Sequence, residues 1–358
     1  MVFENQNLEI LAHNFIDIKK DKTGFIYFER FTNEQFETLA KNPLFQMMGQ
    51  STAGIFLFFF KTNGNEISFQ CKKESILKNV IPILRYGGAK IIETAKTSMS
   101  PAKRHGGRLK MNDAFDIYIN GERVASPKPR SGHIRVSFQN NTKSDVFVKI
   151  YFPLYTKVGI MNLTSNGPIE TIAQQKEKIY CLGDSITQGF DSGNPSLCYV
   201  ARIAEMLNLD ALNQGVGRFQ YDPAILNGLE KLSDPKFITI AYGTNDWAHN
   251  PKIESIQVNI SNFYNKINSL FPDIPIFVIT PFWRSDMEQV MKSGKYTDVV
   301  QLIENESNKY SNLVLIDGLK ISPHEKTFYS DGRLHPNIDG FAYIAERLAP
   351  ILTSALKN

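Results

Sequence analysis

Hydrophobic and polar positions follow two different rhythms along this chain, and the change falls near residue 165. Up to there the apolar residues fall in short runs separated by polar stretches: TGFIYFERF, AGIFLFFFKT, NEISFQCKK, FDIYINGERV, HIRVSFQNN and DVFVKIYFP. Such runs, rich in Phe, Ile, Val and Tyr and bounded by Gly, Asn, Asp and Lys, predict strands with one buried face. Asn120-Gly121 predicts a two-residue hairpin. FTNEQFETLAKN predicts a helix capped by Thr32 or Asn33. Many short strands with turn residues between them predict a β-sandwich or jelly roll.

From about residue 170 the runs become continuous: KIYCLGD, FITIAYGTND, IPIFVITPF and LVLIDGL. Strands buried on both faces read this way. Helix-compatible segments lie between and after them, at 199–207, 253–270 and 297–310, and a final one starts at Pro336. Alternating strands and helices predict a parallel sheet covered on both faces. The polar stretch MNLTSNGPIETIAQQKEK joins the two patterns, giving a β-sandwich domain over 1–168 and an α/β domain over 169–358.

Composition narrows this picture little. The chain has 358 residues, long enough for two domains, with 42% hydrophobic and 21% charged residues. A net charge of +4 from 40 basic and 36 acidic residues is too mild and mixed to predict nucleic acid as a partner. Cys71, Cys181 and Cys198 have no metal-site or disulfide spacing, and reduced thiols predict a cytoplasmic protein. MVFENQNLEILAHNF does not read as a signal peptide, and GIFLFFF is far shorter than the roughly 20 residues of a membrane-spanning helix, so no membrane is expected as a partner. The basic segment KTSMSPAKRHGGRLKMND, with Lys103, Arg104 and Arg108, reads as a long solvated loop.

In open parallel sheets, ligands bind where strands end. The residues there are Gly183-Asp184-Ser185, then Gly215, then Thr244-Asn245-Asp246, and before the last helix Asp331 and His335. GDSIT with Gly189, NQGVG, YGTND and LHPN, in that order, make residues 176–358 resemble the SGNH or GDSL hydrolases. STAGIFLFFFKTNGNEISF and FDIYING also resemble the β-rich N-terminal domain of some bacterial two-domain members. The resemblance implies a three-layer α/β/α, flavodoxin-like hydrolase domain and a carboxylic ester hydrolase that needs neither metal nor cofactor.

It also implies roles. Ser185 is the nucleophile, since a serine hydroxyl needs a base to become reactive, and His335 is that base. The Ser185 and Gly215 amides and the Asn245 side chain are the oxyanion donors. The family places two residues between its Asp and His, whereas Gly332, Arg333 and Leu334 intervene here. Asp331 is the third member of a triad, or else the site is a Ser-His dyad. Taken alone, Ser185 also suits a helix cap, Asp184 a cap or structural partner, and Asn245 a turn. His249 and His324 compete with His335, but His249 reads as a rim residue and His324 as a loop residue. Asp184, Trp283 and Arg284 are the candidate substrate contacts, the last two offering a sugar a flat face and a polar edge.

No extended apolar segment reads as a lid for a fatty chain. By analogy with two-domain members, the expected substrate is a small-molecule or oligosaccharide ester, and the expected reaction is removal of O-acetyl groups from a carbohydrate. The alternatives are a lysophospholipase or thioesterase of the same family, and a carbohydrate-binding protein with a vestigial hydrolase domain. A metal phosphoesterase built on Asp184, Asp246 and His335 has the wrong ligand spacing. Oligomeric state is not written in the pattern.

Overall fold

The computed structural model describes residues 5–52, 57–74, 113–172 and 177–356. The basic stretch with Lys103, Arg104 and Arg108 lies outside them. The chain divides into two compact units.

The first unit comprises Met1–Arg30, Gln50–Gln175 and Gly193–Ser196. Its strands are β1 (Ala12–His13), β2 (Asp17–Lys20), β3 (Ile26–Glu29), β4 (Leu57–Thr62), β5 (Glu66–Lys73), β6 (Asp116–Ile119), β7 (Glu122–Ala125), β8 (Gly132–Ser137), β9 (Val146–Tyr151), β10 (Val158–Ser165) and β11 (Glu170–Thr171). They form two antiparallel sheets, β1-β4-β9-β6-β7 with β11 beside β4, and β2-β3-β10-β5-β8. The two-residue period of an extended strand sets which side chains go inside, whatever their polarity. Val146, Val148 and Ile150 of β9 are buried, while Phe147 between them is 46% exposed. Residues from both sheets share one core, where Phe28, Phe58, Phe115 and Phe152 meet edge to face. This is a sandwich. At the β6–β7 hairpin, Asn120 and Gly121 both take positive φ (51° and 85°), as the paired turn positions require.

The second unit comprises Phe31–Gly49, Lys176–Ser192 and Leu197–Asn358. The boundary expected at 168/169 therefore needs correcting in one respect: an early segment belongs with the late half of the chain. Its helix α1 (Asn33–Ala40) lies where FTNEQFETLAKN predicts one, Thr32 and Gln35 closing a capping box on it, and a second helix, α2 (Pro43–Gly49), which the sequence reading did not anticipate, follows. What the local pattern does not carry is their partners. Gln35 and Gln214 exchange side-chain amide bonds of 3.0 and 2.9 Å, Gln35 also donates to the Ile225 carbonyl at 2.7 Å, and Phe45 meets Phe219 at 5.0 Å between ring centres.

The parallel sheet of this unit runs β13-β12-β14-β15-β16, from β12 (Lys178–Gly183), β13 (Asp210–Gly215), β14 (Phe237–Ala241), β15 (Ile276–Ile279) and β16 (Leu313–Ile316). This 2-1-3-4-5 order is the flavodoxin-like one, with its switch point beside the first strand. The helices that follow are α3 (Ser185–Gln188), α4 (Tyr199–Leu207), α5 (Thr244–His249), α6 (Ile253–Leu270), α7 (Tyr296–Ser307) and α8 (Ile338–Ala355). Helices α4 and α8 pack as one pair and α6 and α7 as another. The sheet strands are almost wholly buried, which is why their sequences do not alternate. Among the described residues no helix is long and apolar enough to cross a membrane.

Candidate active site

The site assembles where β12, β13 and β14 end. β12 stops at Gly183, and the Asp184 Oδ1 accepts the Ile186 amide at 2.9 Å, capping the single turn of α3. Ser185 is the first residue of that turn. Its amide has no acceptor among the described residues, and its hydroxyl lies 3.0 Å from His335 Nε2. His335 Nδ1 in turn donates to Asp331 Oδ2 at 3.1 Å. With Nδ1–H held by the carboxylate, Nε2 is the free base facing Ser185.

The unusual spacing of Asp331 and His335 is resolved by the turn between them. Asp331 Oδ1 accepts three consecutive backbone amides, from Arg333 at 2.9 Å, Leu334 at 2.7 Å and His335 at 3.1 Å. Gly332 sits at φ +63°, the left-handed region that a glycine enters without penalty, and open space surrounds its Cα. The turn is closed by the Ser330 amide donating to the His335 carbonyl at 2.9 Å. One carboxylate oxygen thus folds the turn and the other orients the imidazole. The structure thus brings Asp331, His335 and Ser185 into one hydrogen-bonded line despite the added residue.

The electrostatics follow. Burial opposes the charge on Asp331, but the His335 hydrogen bond and charge, helped by the backbone donors, outweigh it and hold the carboxyl well below its usual range. Burial likewise opposes the imidazolium. The hydrogen bond to Asp331 and its charge outweigh that, with Asp191 and Asp184 adding, so the His335 pKa lies above its ordinary value. Phe190 covers one side of the ring at 5.7 Å.

The expected oxyanion donors divide. Asn245, in the first turn of α5, is buried, and its Nδ2 donates to Asp184 Oδ2 at 3.1 Å and to the Phe219 carbonyl at 3.2 Å. It is therefore oriented by Asp184, whose carboxyl burial pushes up to about 6. Gly215 departs from expectation. Its amide donates to Asn213 Oδ1 at 2.8 Å, inside the β13 end that pairs with Gly183. A side chain at 215 would meet Gln188 N at 2.2 Å and Gln188 Cα at 2.7 Å. Gly215 is thus required by the close approach of α3 to β13, and its N–H is already committed. The Gly217 amide is committed too, to Gln188 Oε1 at 2.7 Å. Arg218, next in the loop, has φ +70° and an amide without an acceptor among the described residues. Sequence reasoning passed over it, although Asn213 two residues before Gly215 was a readable sign that the glycine amide would be taken.

The candidate substrate contacts also divide. Arg284 is 2% exposed, and its three guanidinium nitrogens are all engaged: Nε and Nη2 by Asp286 at 2.6 and 3.0 Å, Nη1 by Thr244 Oγ1 at 2.9 Å. It lies over Trp247 at 4.7 Å. Placing it at a sugar edge is therefore corrected: it is a buried brace between α5 and the loop after β15. Trp283 is half-buried, stacked on His324 at 6.1 Å and tilted against Tyr329 at 4.9 Å. Asp184 contacts protein through both oxygens. His324 donates to or accepts from no catalytic residue, its Nε2 facing the Leu319 carbonyl at 2.9 Å. His249 accepts from Arg218 Nε at 3.3 Å. Burial, with Arg218, Arg284 and Arg333 nearby, pushes it down to about 4. Among the described residues no group of three or more His, Cys, Asp and Glu is placed to hold a metal ion.

The doubly wound sheet brings the serine at the end of its first strand to a half-buried histidine and aspartate, an arrangement suited to acyl transfer through a serine. Residues 181–343 match the GDSL-like lipase/acylhydrolase family, and this stretch is a GDSL-like acylhydrolase domain, which supports carboxylic ester hydrolase activity. No curated protein sequence matches the chain. Among solved structures, a putative GDSL-like lipase from Bacteroides ovatus superposes with a TM-score of 0.73 at 18% identity, over 100% of this chain and 98% of its own. A salicylyl-acyltransferase from a tetracycline biosynthetic pathway gives 0.71 at 13%, covering 96% and 94%. An acetyl xylan esterase from the rumen bacterium Butyrivibrio proteoclasticus gives 0.63 at 14%, covering 100% and 98%. At these identities the likeness is one of fold.

Proposed function

We propose that the protein removes short acyl groups, O-acetyl groups on a carbohydrate above all, through an acyl-enzyme on Ser185. The observation that carries this reading is the unbroken chain from the Ser185 hydroxyl to His335 Nε2 and from His335 Nδ1 to Asp331. His335 takes the Ser185 proton as Oγ attacks the ester carbon. The Ser185 amide, the Asn245 side chain and the Arg218 amide receive the oxygen that becomes negative, the Asn245 hydrogen leaving its long bond to Phe219 O to do so. The intermediate collapses as His335 returns the proton to the departing sugar hydroxyl. Water, deprotonated by the same imidazole, then releases acetate and restores Ser185.

The small acyl group is supported by the fold shared with an acetyl xylan esterase. The test is acetate release from a panel of acetylated mono- and oligosaccharides. Wild type should release acetate, and Ser185→Ala should lower kcat by roughly 10⁴-fold or more. Equal release by the two proteins would sink the nucleophile assignment. Activity on p-nitrophenyl esters that rises with acyl length would favour a lysophospholipase or thioesterase instead.

A further inference from the structure

Arg218 carries two unfavourable features at once. Its backbone is left-handed, at φ +70°, a region that strains a residue carrying a side chain. Its guanidinium Nη1 is buried with no acceptor among the described residues, a state that native proteins rarely leave unexplained. Burial is the one influence acting on its charge, and among the described residues no carboxylate pairs with it. Its partner, His249, accepts through a neutral ring and supplies no negative charge.

The surroundings sharpen the point. The charges that act on His249 are all guanidinium groups: Arg218, Arg284 and Arg333. Arg284 and Arg333 share Asp286, at 2.6 and 3.0 Å, whereas Arg218 has nothing equivalent. Residue 218 is also held close to the reacting groups. Gly217 before it bonds to Gln188 of α3, three residues from Ser185, and the Phe219 carbonyl after it accepts the Asn245 amide. Arg333 lies in the turn that aims His335.

We propose that Arg218 is a specificity residue, binding an anionic group on the ester substrate, a carboxylate such as that of an acidic sugar, beside the ester that is cut. A carboxylate at the part-exposed face of the guanidinium supplies the countercharge that the loop lacks, and a guanidinium fork matches its geometry. The inference rests on the ester-hydrolase reading of the same site and names the substrate class for it.

The experiment compares kcat/KM for acetylated glucuronate and acetylated glucose, with p-nitrophenyl acetate as an uncharged reference. Wild type should prefer the acidic sugar about tenfold or more, chiefly through KM, and the preference should shrink as salt is raised. Arg218→Gln should bring the ratio close to one, and Arg218→Lys should retain part of it. Independently of any variant, free glucuronate should inhibit wild-type hydrolysis of p-nitrophenyl acetate at lower concentration than glucose does. Hydrolysis of the reference with equal kcat/KM for the two sugars, or equal inhibition by them, overturns the charge preference alone. A wild type that hydrolyses none of the three esters overturns both readings.

Discussion

Two loops converge on Ser185, and they are built on opposite terms. In the turn from Ser330 to His335, Asp331 uses one oxygen to gather three backbone amides and the other to orient His335, so the added residue relative to the family spacing changes nothing at the imidazole. In the loop from Asn213 to Gln220 the glycine amides are turned inward to Asn213 and Gln188, and Arg218 stands with its own amide and one guanidinium nitrogen open. The first loop is complete in the protein alone. The second has donors left over for a substrate. A motif's spacing therefore says little about the first, because a turn can absorb it, and a motif's glycine says little about the second, because a neighbouring side chain can claim its amide.

The strongest way to break this comparison is at Asp331. Asp331→Asn should lower kcat by about 10²- to 10⁴-fold, since the imidazole loses both its orientation and its countercharge. The pH profile adds a second reading. His335 must be neutral to accept the Ser185 proton, and its pKa is raised above 6.5, so wild-type kcat/KM should climb with pH through a midpoint above that value. Removing the carboxylate should move the midpoint downward. An unchanged rate and midpoint in Asp331→Asn would mean that the pair at 3.1 Å does not operate in catalysis.

A change at Gly215 probes the second loop. Its added Cβ would meet backbone atoms of Thr187 and Gln188, which cannot rotate away. Gly215→Ala should therefore cost about 1–3 kcal/mol of stability, read as a melting temperature lower by about 2–4 °C per kcal/mol. If Gly215→Ala melts like wild type, the close approach of α3 to β13 is not what requires the glycine. The smallest effect belongs to Gly332. Gly332→Ala meets no atom and carries only the left-handed penalty, about 1 kcal/mol, so kcat/KM should fall less than tenfold. Gly332→Asn should recover most of it, because asparagine tolerates that region better. Equal losses in the two variants would assign the effect to the missing glycine's size and not to its φ.

Much of this was legible in the chain because it depends on near neighbours. Thr32 and Gln35 announce a capped helix, Asn120-Gly121 announces a hairpin, and continuous apolar runs such as FITIA announce buried parallel strands. Ser185, His335 and Asp331 could be named as a set through the resemblance of GDSIT, NQGVG, YGTND and LHPN to the motif blocks of a known family. What failed to show depends on distant partners. Nothing around Arg284 reveals that Asp286 and Thr244 will exhaust its donors, and nothing around residues 31–49 reveals that they pack against β13. Arg218 was hidden for another reason: an arginine is ordinary in a polar loop until its backbone angle and its empty guanidinium position are known.

The paired amides of Gln35 and Gln214 carry a consequence for how the molecule comes to be. During synthesis, α1 leaves the ribosome long before β13 exists, so it must wait, its polar face hydrated, until a strand roughly 180 residues later arrives to claim it. Excising the late segment at residue 177 would not isolate an independent catalytic module. It would remove the Gln35 amide from buried Gln214, and the excised piece should refold slowly and aggregate unless residues 31–49 are supplied as a separate peptide.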